Sequence, residues 1–268
     1  MRRRRDRIAE LIKGDRLHVH SANSGILSSS ATPRLRGESQ LLLWQLADSA
    51  FPTGGFAHSA GLEAAWQHGE VRNRSELREW LGVSLNQSSH AALPFVNTAY
   101  SEPERLEELD RLCDAFTSNH VANRASRLQG RALLVAAGRI FTERGLQGVP
   151  PLNGHHRLKP SEGCAPSPPF AHLPPVFGAV TRSLGVARDE AIRLFVFMHL
   201  RSAIAAAVRL NIVGPMEGQA IQFQLSGQAG AVAQRGGALT LDDLAQTAPL
   251  LDLWQGAQDR LYSRLFHS

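Results

Sequence analysis

The sequence has few cysteines and no segment with the alternating apolar pattern of a β-strand. Its 268 residues include two cysteines, Cys113 and Cys164, which are too few for a disulfide framework and do not form a CxxC metal pair. This cysteine usage is typical of a reducing compartment, so we expect a cytoplasmic protein. Because apolar residues recur at helical spacing, the sequence predicts an all-α fold, a bundle of roughly eight to ten helices.

Long hydrophobic runs are also absent. The most apolar stretch, residues 191–208, is interrupted by Arg193, His199 and Arg201. A membrane-spanning helix needs about 20 consecutive, predominantly apolar residues. The sequence therefore predicts no membrane span.

Positive charge is concentrated in one part of the chain. The sequence pI is about 10.0, but residues 1–37 hold nine of the 29 Lys and Arg and three of the 24 acidic residues, which leaves 20 basic and 21 acidic residues in 38–268. A nucleic-acid binder needs a basic face on its folded domain. We therefore expect no nucleic-acid partner, and a single folded domain over residues 38–268.

The basic segment 1–37 has no apolar h-region, which excludes a secretory signal. Its arginines and serines have some likeness to a mitochondrial presequence, but Asp6, Glu10 and Asp15 argue against that interpretation. The composition favours a disordered basic extension.

A second irregular segment is predicted at residues 145–175. It holds eight of the 14 prolines and four glycines, so it cannot form regular structure and indicates a long surface loop or an insertion within the domain. The neighbours His155 and His156 lack further ligands at metal-binding spacing. They are interpreted as a solvated pair.

The most unusual stretch is LLLWQLADSAFPTGGFAHSAGLE, residues 41–63. Leucines at helical spacing predict a helix with Ser39 as its N-cap, which ends near Ser49 or Ala50 because Pro52 follows. The pair Gly54 and Gly55 then allows a sharp turn.

After this turn the sequence predicts a second helix. His58, Ser59 and Glu63 lead into it, and Gly69 should end it. We expect Phe51 and Phe56, which flank the bend, to be held in a groove or core.

Three interpretations of this stretch compete. A helical hairpin with closely packed glycines is the simplest. A phosphate-binding loop lacks the lysine that should follow the glycines. A nucleophile elbow would use Ser59 within Ala57–Gly61, giving a serine hydrolase, but that motif needs a strand before the serine and the preceding pattern is helical. The hydrolase is kept as the alternative function.

Further signals predict the remaining helices. Ser75 is a candidate N-cap, Ser101 begins a candidate capping box with Glu104, and Cys113 lies on an apolar stripe as a core thiol. Small residues on one face of 119–141 predict a central helix. Other predictions are a short helix from His172 to Gly185, a long helix from Arg188, a turn at Gly214 and Pro215, a short helix carrying Gln219, a loose loop over 226–238, and a helix capped by Thr240 with Asp243.

Several blocks together resemble one family. Residues 46–63 (LADSAFPTGGFAHSAGLE), the AxxAS(x)₃G run at 122–130, HLPPVFG at 172–178, AVRLNIVGP(x)₃Q at 207–219 and YSRLFHS at 262–268 are similar to motifs of the urease accessory protein F (UreF) family. The resemblance spans residues 40–268. It implies the UreF-like all-α fold and a non-catalytic role.

The resemblance also implies partners. Members form homodimers and bind the nickel-carrying GTPase UreG and the scaffold UreD, also called UreH, and the assembly helps to insert nickel into apo-urease. No cofactor and no metal site of its own are implied for this chain.

The resemblance implies two partner-binding sets of residues. Glu63 and Arg209 are the leading candidates for UreG contact, with an ion pair between them as the alternative, and the C-terminal block is expected to dock on UreD and not on its own bundle. The UreG side comprises Phe51, Pro52, Gly54, Gly55, Phe56, His58, Ser59, Glu63 and Arg209, and the UreD side Leu261, Tyr262, Ser263, Arg264, Leu265 and Phe266.

The chain also departs from the family pattern. It has Gln258 and Asp259 where His-Glu is usual, and His267 in place of Arg.

Overall fold

Regular structure in the described part of the chain is entirely helical. The computed structural model describes residues 33–141 and 169–268. Residues 37–268 cluster as one compact unit. The predictions for residues 1–32, and those for Cys164, His155, His156 and most of the proline-rich segment, lie outside the described residues.

The α-helices, in chain order, are α1 (Pro33–Ala47), α2 (Leu62–Gln67), α3 (Arg74–Ala91), α4 (Leu93–Ser101), α5 (Leu106–Phe116), α6 (His120–Ile140), α7 (Leu173–Ser183), α8 (Arg188–Arg209), α9 (Pro215–Gly236) and α10 (Pro249–Ala257). Short 3₁₀ turns occur at Gly55–Ala57, Pro103–Arg105, Leu241–Asp243 and Gln258–Arg260. The predicted all-α bundle is confirmed.

The first helix begins earlier than predicted. It starts at Pro33, because proline is well suited to the first helical position, where its missing N–H is not needed. Ser39 lies inside the helix and is not its N-cap, so that prediction is wrong. The helix ends at Ala47, shortly before Pro52.

Two predicted caps are also corrected. Helix α3 is capped by Asn73, whose side-chain oxygen accepts hydrogen bonds from the backbone N–H groups of Ser75 and Glu76. Ser101 is the last residue of α4, and no capping box forms there. Thr240 and Asp243 do form the predicted capping box, but it begins a 3₁₀ turn and not an α-helix.

The centre of the bundle is built on close contacts between helices. A Cβ atom at Gly178 in α7 would lie 2.3 Å from the carbonyl oxygen of Val96 in α4, and one at Gly130 in α6 would lie 2.0 Å from that of Ala171. Only glycine permits such approach. The predicted small-residue face of α6 and the core position of Cys113 are confirmed.

Helices α8 and α9 pack against each other along their length. Gly218 of α9 faces the side chains of Ile204 and Val208. The loop predicted at 226–238 is wrong, because α9 continues to Gly236 and buries Val232 and Ala233. Ala and Gln are good helix formers, and here the small residues allow close packing.

Among the described helices, α8 is long and apolar enough to cross a membrane by length and composition. Within the bundle, 56% of its apolar window is buried. A core helix of a water-soluble bundle has the same character.

Candidate functional site

The unusual stretch forms a tight loop next to the last helix. We call residues 48–61 the signature loop. Gly54 (φ 71°), Ala60 (φ 52°) and Gly61 (φ 86°) adopt left-handed backbone conformations, which glycine tolerates best. A Cβ atom at Gly61 would lie 2.8 Å from the backbone nitrogen of Gln255. The loop therefore approaches α10 as closely as its backbone allows.

The C-terminal segment, residues 258–268, lies along this loop. The backbone N–H of Ser59 donates to the backbone oxygen of Ser268 at 2.5 Å, and that of His267 donates to the carbonyl of Ala57 at 2.9 Å. A further hydrogen bond of 2.5 Å joins His58 Nδ1 and Ser268 Oγ. The two segments thus form one structural unit.

A buried carboxylate holds the two segments together. Glu63, at the start of α2, is 1% exposed. Its oxygens accept hydrogen bonds from the backbone N–H groups of Leu265 (2.5 Å) and Phe266 (3.1 Å), and from Gln258 Nε2 (2.5 Å). Buried polar groups are normally satisfied in this way, so Glu63 fixes the path of the C-terminal segment.

Arg209, at the end of α8, contacts both segments. Its guanidinium donates a hydrogen bond to the carbonyl of Phe56 and lies 4.3 Å from the centroid of the Phe266 ring. It makes no ion pair with Glu63 in the described residues, so the alternative of an ion pair between them is wrong. Arg209 covers the buried Phe266 from outside and remains accessible.

Asp259 forms a second charged cluster on the C-terminal segment. Its carboxylate accepts two hydrogen bonds from Arg124 (2.8 and 3.1 Å), one from Arg264 (2.9 Å), and lies 3.2 Å from His120 Nε2. The hydrogen bonds from Arg124, above all, hold the pKa of Asp259 below its ordinary value. Asp259 therefore remains charged and joins the C-terminal segment to α6.

A small cavity with both polar and apolar walls lies beneath the signature loop. It has a volume of about 150 Å³, and its lining includes Thr53, His58, Gln129, His199 and Arg201. Burial is the main cause that lowers the pKa of His58 to about 4, and burial likewise lowers the pKa of His199 to about 4. Both imidazoles are therefore neutral at pH 7.

Metal-binding side chains do not cluster in the described part of the chain. No three His, Cys, Asp or Glu side chains there come together as a metal site would need. Burial raises the pKa of the Cys113 thiol to about 12, so this thiol is protonated at neutral pH. A protonated, buried thiol is a poor metal ligand.

The geometry does not support the hydrolase alternative. Ser59 is buried, and its Oγ accepts from the backbone N–H of Glu63 at 3.4 Å. The neighbouring His58 bonds to Ser268 and not to Ser59. A 3₁₀ turn, and no strand, precedes the serine, so the nucleophile elbow is absent.

The predicted contact residues divide into exposed and buried groups. Phe56 is 70% exposed, which corrects the prediction that it is held in a groove or core. Phe51 is buried and stacks on Phe141, and Ser59 and Glu63 are buried as well. These three side chains lie beneath the surface of the chain and offer few accessible atoms.

The C-terminal block is not free of the bundle. Phe266 is buried in the core, so the expectation that this block lies off its own bundle is wrong. Tyr262 and Leu265 point outward and are exposed. Sequence reasoning missed the structural roles of Gln258, Asp259 and Arg124. For Gln258 and Asp259, the available signal in the sequence was that they replace the His-Glu pair of the family motif.

Comparisons with known proteins agree on one family. The UreF family model matches residues 71–226. The chain is similar to "Urease accessory protein F" of Oryza sativa subsp. indica (36% identity over 225 residues, 83% of each chain) and of Arabidopsis thaliana (37% over 227 residues, 84% of this chain and 91% of the relative). It is also 32% identical over 236 residues to "Urease accessory protein UreF" of Arthrobacter sp. (strain FB24), covering 87% of this chain and 98% of the relative.

Proposed function

This chain belongs to the urease accessory protein F (UreF) family, and from that premise we propose that it is a non-catalytic subunit of a cytoplasmic urease-activating assembly. In this role it binds the GTPase UreG and the scaffold UreD, also called UreH, and the assembly inserts nickel into apo-urease. Nickel is the cargo of the assembly, and we assign no nickel site to this chain.

The junction of the signature loop and the C-terminal segment is the observation that carries the proposal. It places exposed Phe56 and Tyr262 on segments that the buried carboxylate of Glu63 holds in fixed positions. Large aromatic side chains are unfavourable in water and are enriched at the centres of protein interfaces. A rigid support beneath them reduces the entropy lost on binding.

The two partners are assigned to the two segments. The UreG side consists of the accessible residues of the loop and its neighbour on α8, namely Pro52, Phe56 and Arg209, with Gly54, Gly55 and His58 half-buried beside them. The UreD side consists of the exposed residues of the C-terminal segment, Tyr262, Ser263, Arg264 and Leu265, with half-buried Leu261 beside them. The buried residues Phe51, Ser59, Glu63 and Phe266 act by positioning these two sets.

A homodimer is proposed through a different face. An apolar groove of about 460 Å³ lies between α8 and α9, and its lining includes Phe197, Gln222 and Phe223. Phe223 is 81% exposed and Met216 is 85% exposed. The buried Oε1 atom of Gln222 has no hydrogen-bond partner in the described residues. A second copy would bury these rings and supply a donor for this oxygen.

Light scattering tests the dimer. We expect the full-length chain to have twice the mass of one copy, and Phe223→Asp to convert it to a monomer, because a buried carboxylate without a partner is costly. An unchanged dimer in this variant, or a monomeric parent protein, would remove the proposal for this groove.

Co-purification tests the main proposal. The full-length chain is co-expressed with the UreG and UreD homologues of its source organism, and urease activity is measured in cells that lack this chain. We expect both partners to co-purify and urease activity to depend on the chain. Absence of both partners from the purified material, or full urease activity without the chain, would contradict the proposal.

A further inference from the structure

Helix α6 presents an unusually basic outer face. Its 21 residues include four arginines and no acidic residue. Arg124, Leu128 and Arg131 are spaced by four and three positions, so they lie on one face of the helix, and all three are exposed. In contrast, residues 38–268 as a whole carry nearly equal numbers of basic and acidic side chains. The charge on α6 is therefore a local feature.

Two open grooves lie on either side of Leu128. The first, about 540 Å³, is lined by Arg124 and Leu128 together with Asp259, Arg264, Leu265, Phe266 and His267. The second, about 630 Å³, is lined by the same two residues together with Asp114, Thr117, Ser118, His120, Asn123, Arg127 and Arg131. Because they share Arg124 and Leu128, the grooves form one continuous surface, which we call the α6 surface.

The chain itself shows how a carboxylate binds on this surface. Asp259 occupies one end, where Arg124 donates to both of its oxygens. Such bidentate pairs are the strongest and most specific Arg contacts. At the other end Arg131 makes no hydrogen bond or ion pair within the described residues, and Arg127 lies 5.0 Å from the centroid of the Phe170 ring. The row of donors thus continues along the helix to Arg131, which has no acidic partner in the described residues, while Arg127 also interacts electrostatically with Asp114.

We propose that the α6 surface binds an acidic segment of a partner protein, with carboxylates on Arg127 and Arg131 and an apolar residue beside Leu128 and Leu265. Both leucines are 51% exposed, so an apolar neighbour would gain from covering them. The proposal concerns the chemistry of the partner. The α6 surface shares Arg264 and Leu265 with the UreD side, but its test uses a peptide and neither UreG nor UreD.

A protein segment fits this surface better than a nucleic acid or an anionic membrane. Asp114 and Asp259 lie within the two grooves, and their negative charges would repel a continuous row of phosphates. Leu128 lies between the arginines, and its apolar side chain cannot donate a hydrogen bond to a phosphate. A peptide can place carboxylates on the arginines, an apolar side chain on the leucine, and polar groups beside the two aspartates.

Fluorescence anisotropy tests the proposal with the full-length chain. The probe is a fluorescein-labelled peptide of about 12 residues built from Glu-Glu-Leu repeats, and the comparison peptide has Gln in place of Glu. We expect the acidic peptide to bind, the Gln peptide not to bind, and affinity to fall as salt rises.

Variants locate the binding surface. Arg131→Glu should weaken peptide binding about tenfold, since an attraction becomes a repulsion. Leu128→Gln should weaken it about fivefold through lost apolar contact. The matched control is Arg78→Glu, which changes the same charge at an exposed arginine on α3 and should leave binding unchanged. Melting temperatures should stay at the parent value, because neither Arg131 nor Arg78 forms a hydrogen bond or ion pair with any residue in 33–141 or 169–268.

Three outcomes would overturn the proposal. The first is equal loss of binding in Arg78→Glu and Arg131→Glu, which would indicate an effect of net charge alone. The second is unchanged peptide binding in Arg131→Glu. The third is binding of a labelled oligo-dT strand, or of phosphatidylserine vesicles, at least as tight as that of the acidic peptide and equally dependent on Arg131.

Discussion

Two buried contacts in this molecule are stabilised by different interactions, one by apolar packing and the other by hydrogen bonds. Helices α4 and α7 meet through carbon surfaces and a glycine: Gly178 faces Val96 and Ala99 of α4, and both of these residues are almost fully buried. The signature loop and the C-terminal segment meet through hydrogen bonds to one buried carboxylate, that of Glu63. The α4–α7 contact depends on how closely the two helices can approach. The contact at Glu63 depends on hydrogen-bond partners for buried polar groups.

This difference separates the scaffold from the functional surface. A close-packed contact has a single arrangement, because protein interiors tolerate neither voids nor overlap. A contact made of hydrogen bonds fixes the path of the backbone, while the side chains of neighbouring residues can stay exposed to solvent. The two segments that meet at this contact carry exposed side chains, Tyr262 and Leu265 on one segment and Phe56 on the other. The polar contact therefore positions an accessible surface.

The largest expected effect is on the α4–α7 contact. In Gly178→Ala the new Cβ atom would lie 2.3 Å from the carbonyl oxygen of Val96 and 3.0 Å from the backbone nitrogen of Tyr100. The helices must separate, and we expect the free energy of unfolding to fall by about 4 kcal/mol, measured by denaturant titration.

The control for this prediction is Gly138→Ala in α6, where a Cβ atom meets nothing within 4 Å. Alanine is favoured over glycine inside a helix, so this variant should gain about 0.5 to 1 kcal/mol. Equal stability in the two variants would contradict the volume argument.

A smaller loss is expected at the polar contact. Glu63→Ala leaves the N–H groups of Leu265 and Phe266 and the amide of Gln258 without their acceptor, and we expect a loss of about 2 to 3 kcal/mol. The conservative Glu63→Gln keeps one carbonyl acceptor and should lose less. Limited proteolysis should cut residues 258–268 faster in the Ala variant than in Gly138→Ala. Equal cleavage rates would show that Glu63 does not hold the C-terminal segment.

The same contact predicts the effect of removing the C-terminal block. Deletion of residues 261–268 removes Phe266 from the core and two donors from Glu63. We therefore expect this deletion to lower the melting temperature of the isolated protein, whereas a block that docked only on UreD would leave it unchanged.

Acid should weaken the bundle through His199. Burial lowers its folded-state pKa to about 4 from 6.5, so the folded state disfavours the protonated ring. The resulting stability is present above pH 6.5 and is lost as the pH falls toward 4. Between pH 7 and pH 5 this one group should cost about 2 kcal/mol.

His199→Gln should reduce this pH dependence by about 2 kcal/mol and leave the part due to His58, as measured by denaturant titration at both pH values, because Gln does not titrate and can still bond to the Ser84 hydroxyl. An equally steep pH dependence in the variant would assign the effect to other groups.

Local signals in the sequence predicted much of the fold. Gly69 and Gly185 end their helices with positive φ, as expected, because that conformation is a local property of glycine. The 226–238 segment was misjudged because small residues indicate a loop in isolation, whereas here Gly236 makes room for Leu93 of another helix. That requirement is tertiary and leaves no periodic pattern in the sequence.

The candidate site was harder to predict for the same reason. Glu63 and Gln258 are 195 positions apart, and nothing in either neighbourhood indicates that their side chains meet. The motif resemblance drew attention to Glu63 but could not show that it is buried. Exposed and buried members of one motif look alike in sequence, and only the packing of α2 against the C-terminal segment separates them.

The most direct test of the account is a crossed binding experiment on two exposed rings that contribute little to stability. Phe56→Ala and Tyr262→Ala, with Trp44→Ala as an exposed control on α1, are each assayed for melting temperature and for binding of UreG and UreD homologues. We predict parent-like melting temperatures in all three, loss of UreG with UreD retained in Phe56→Ala, and the reverse in Tyr262→Ala. Parent-like binding of both partners in both variants would contradict the claim that this junction forms the partner-binding surface.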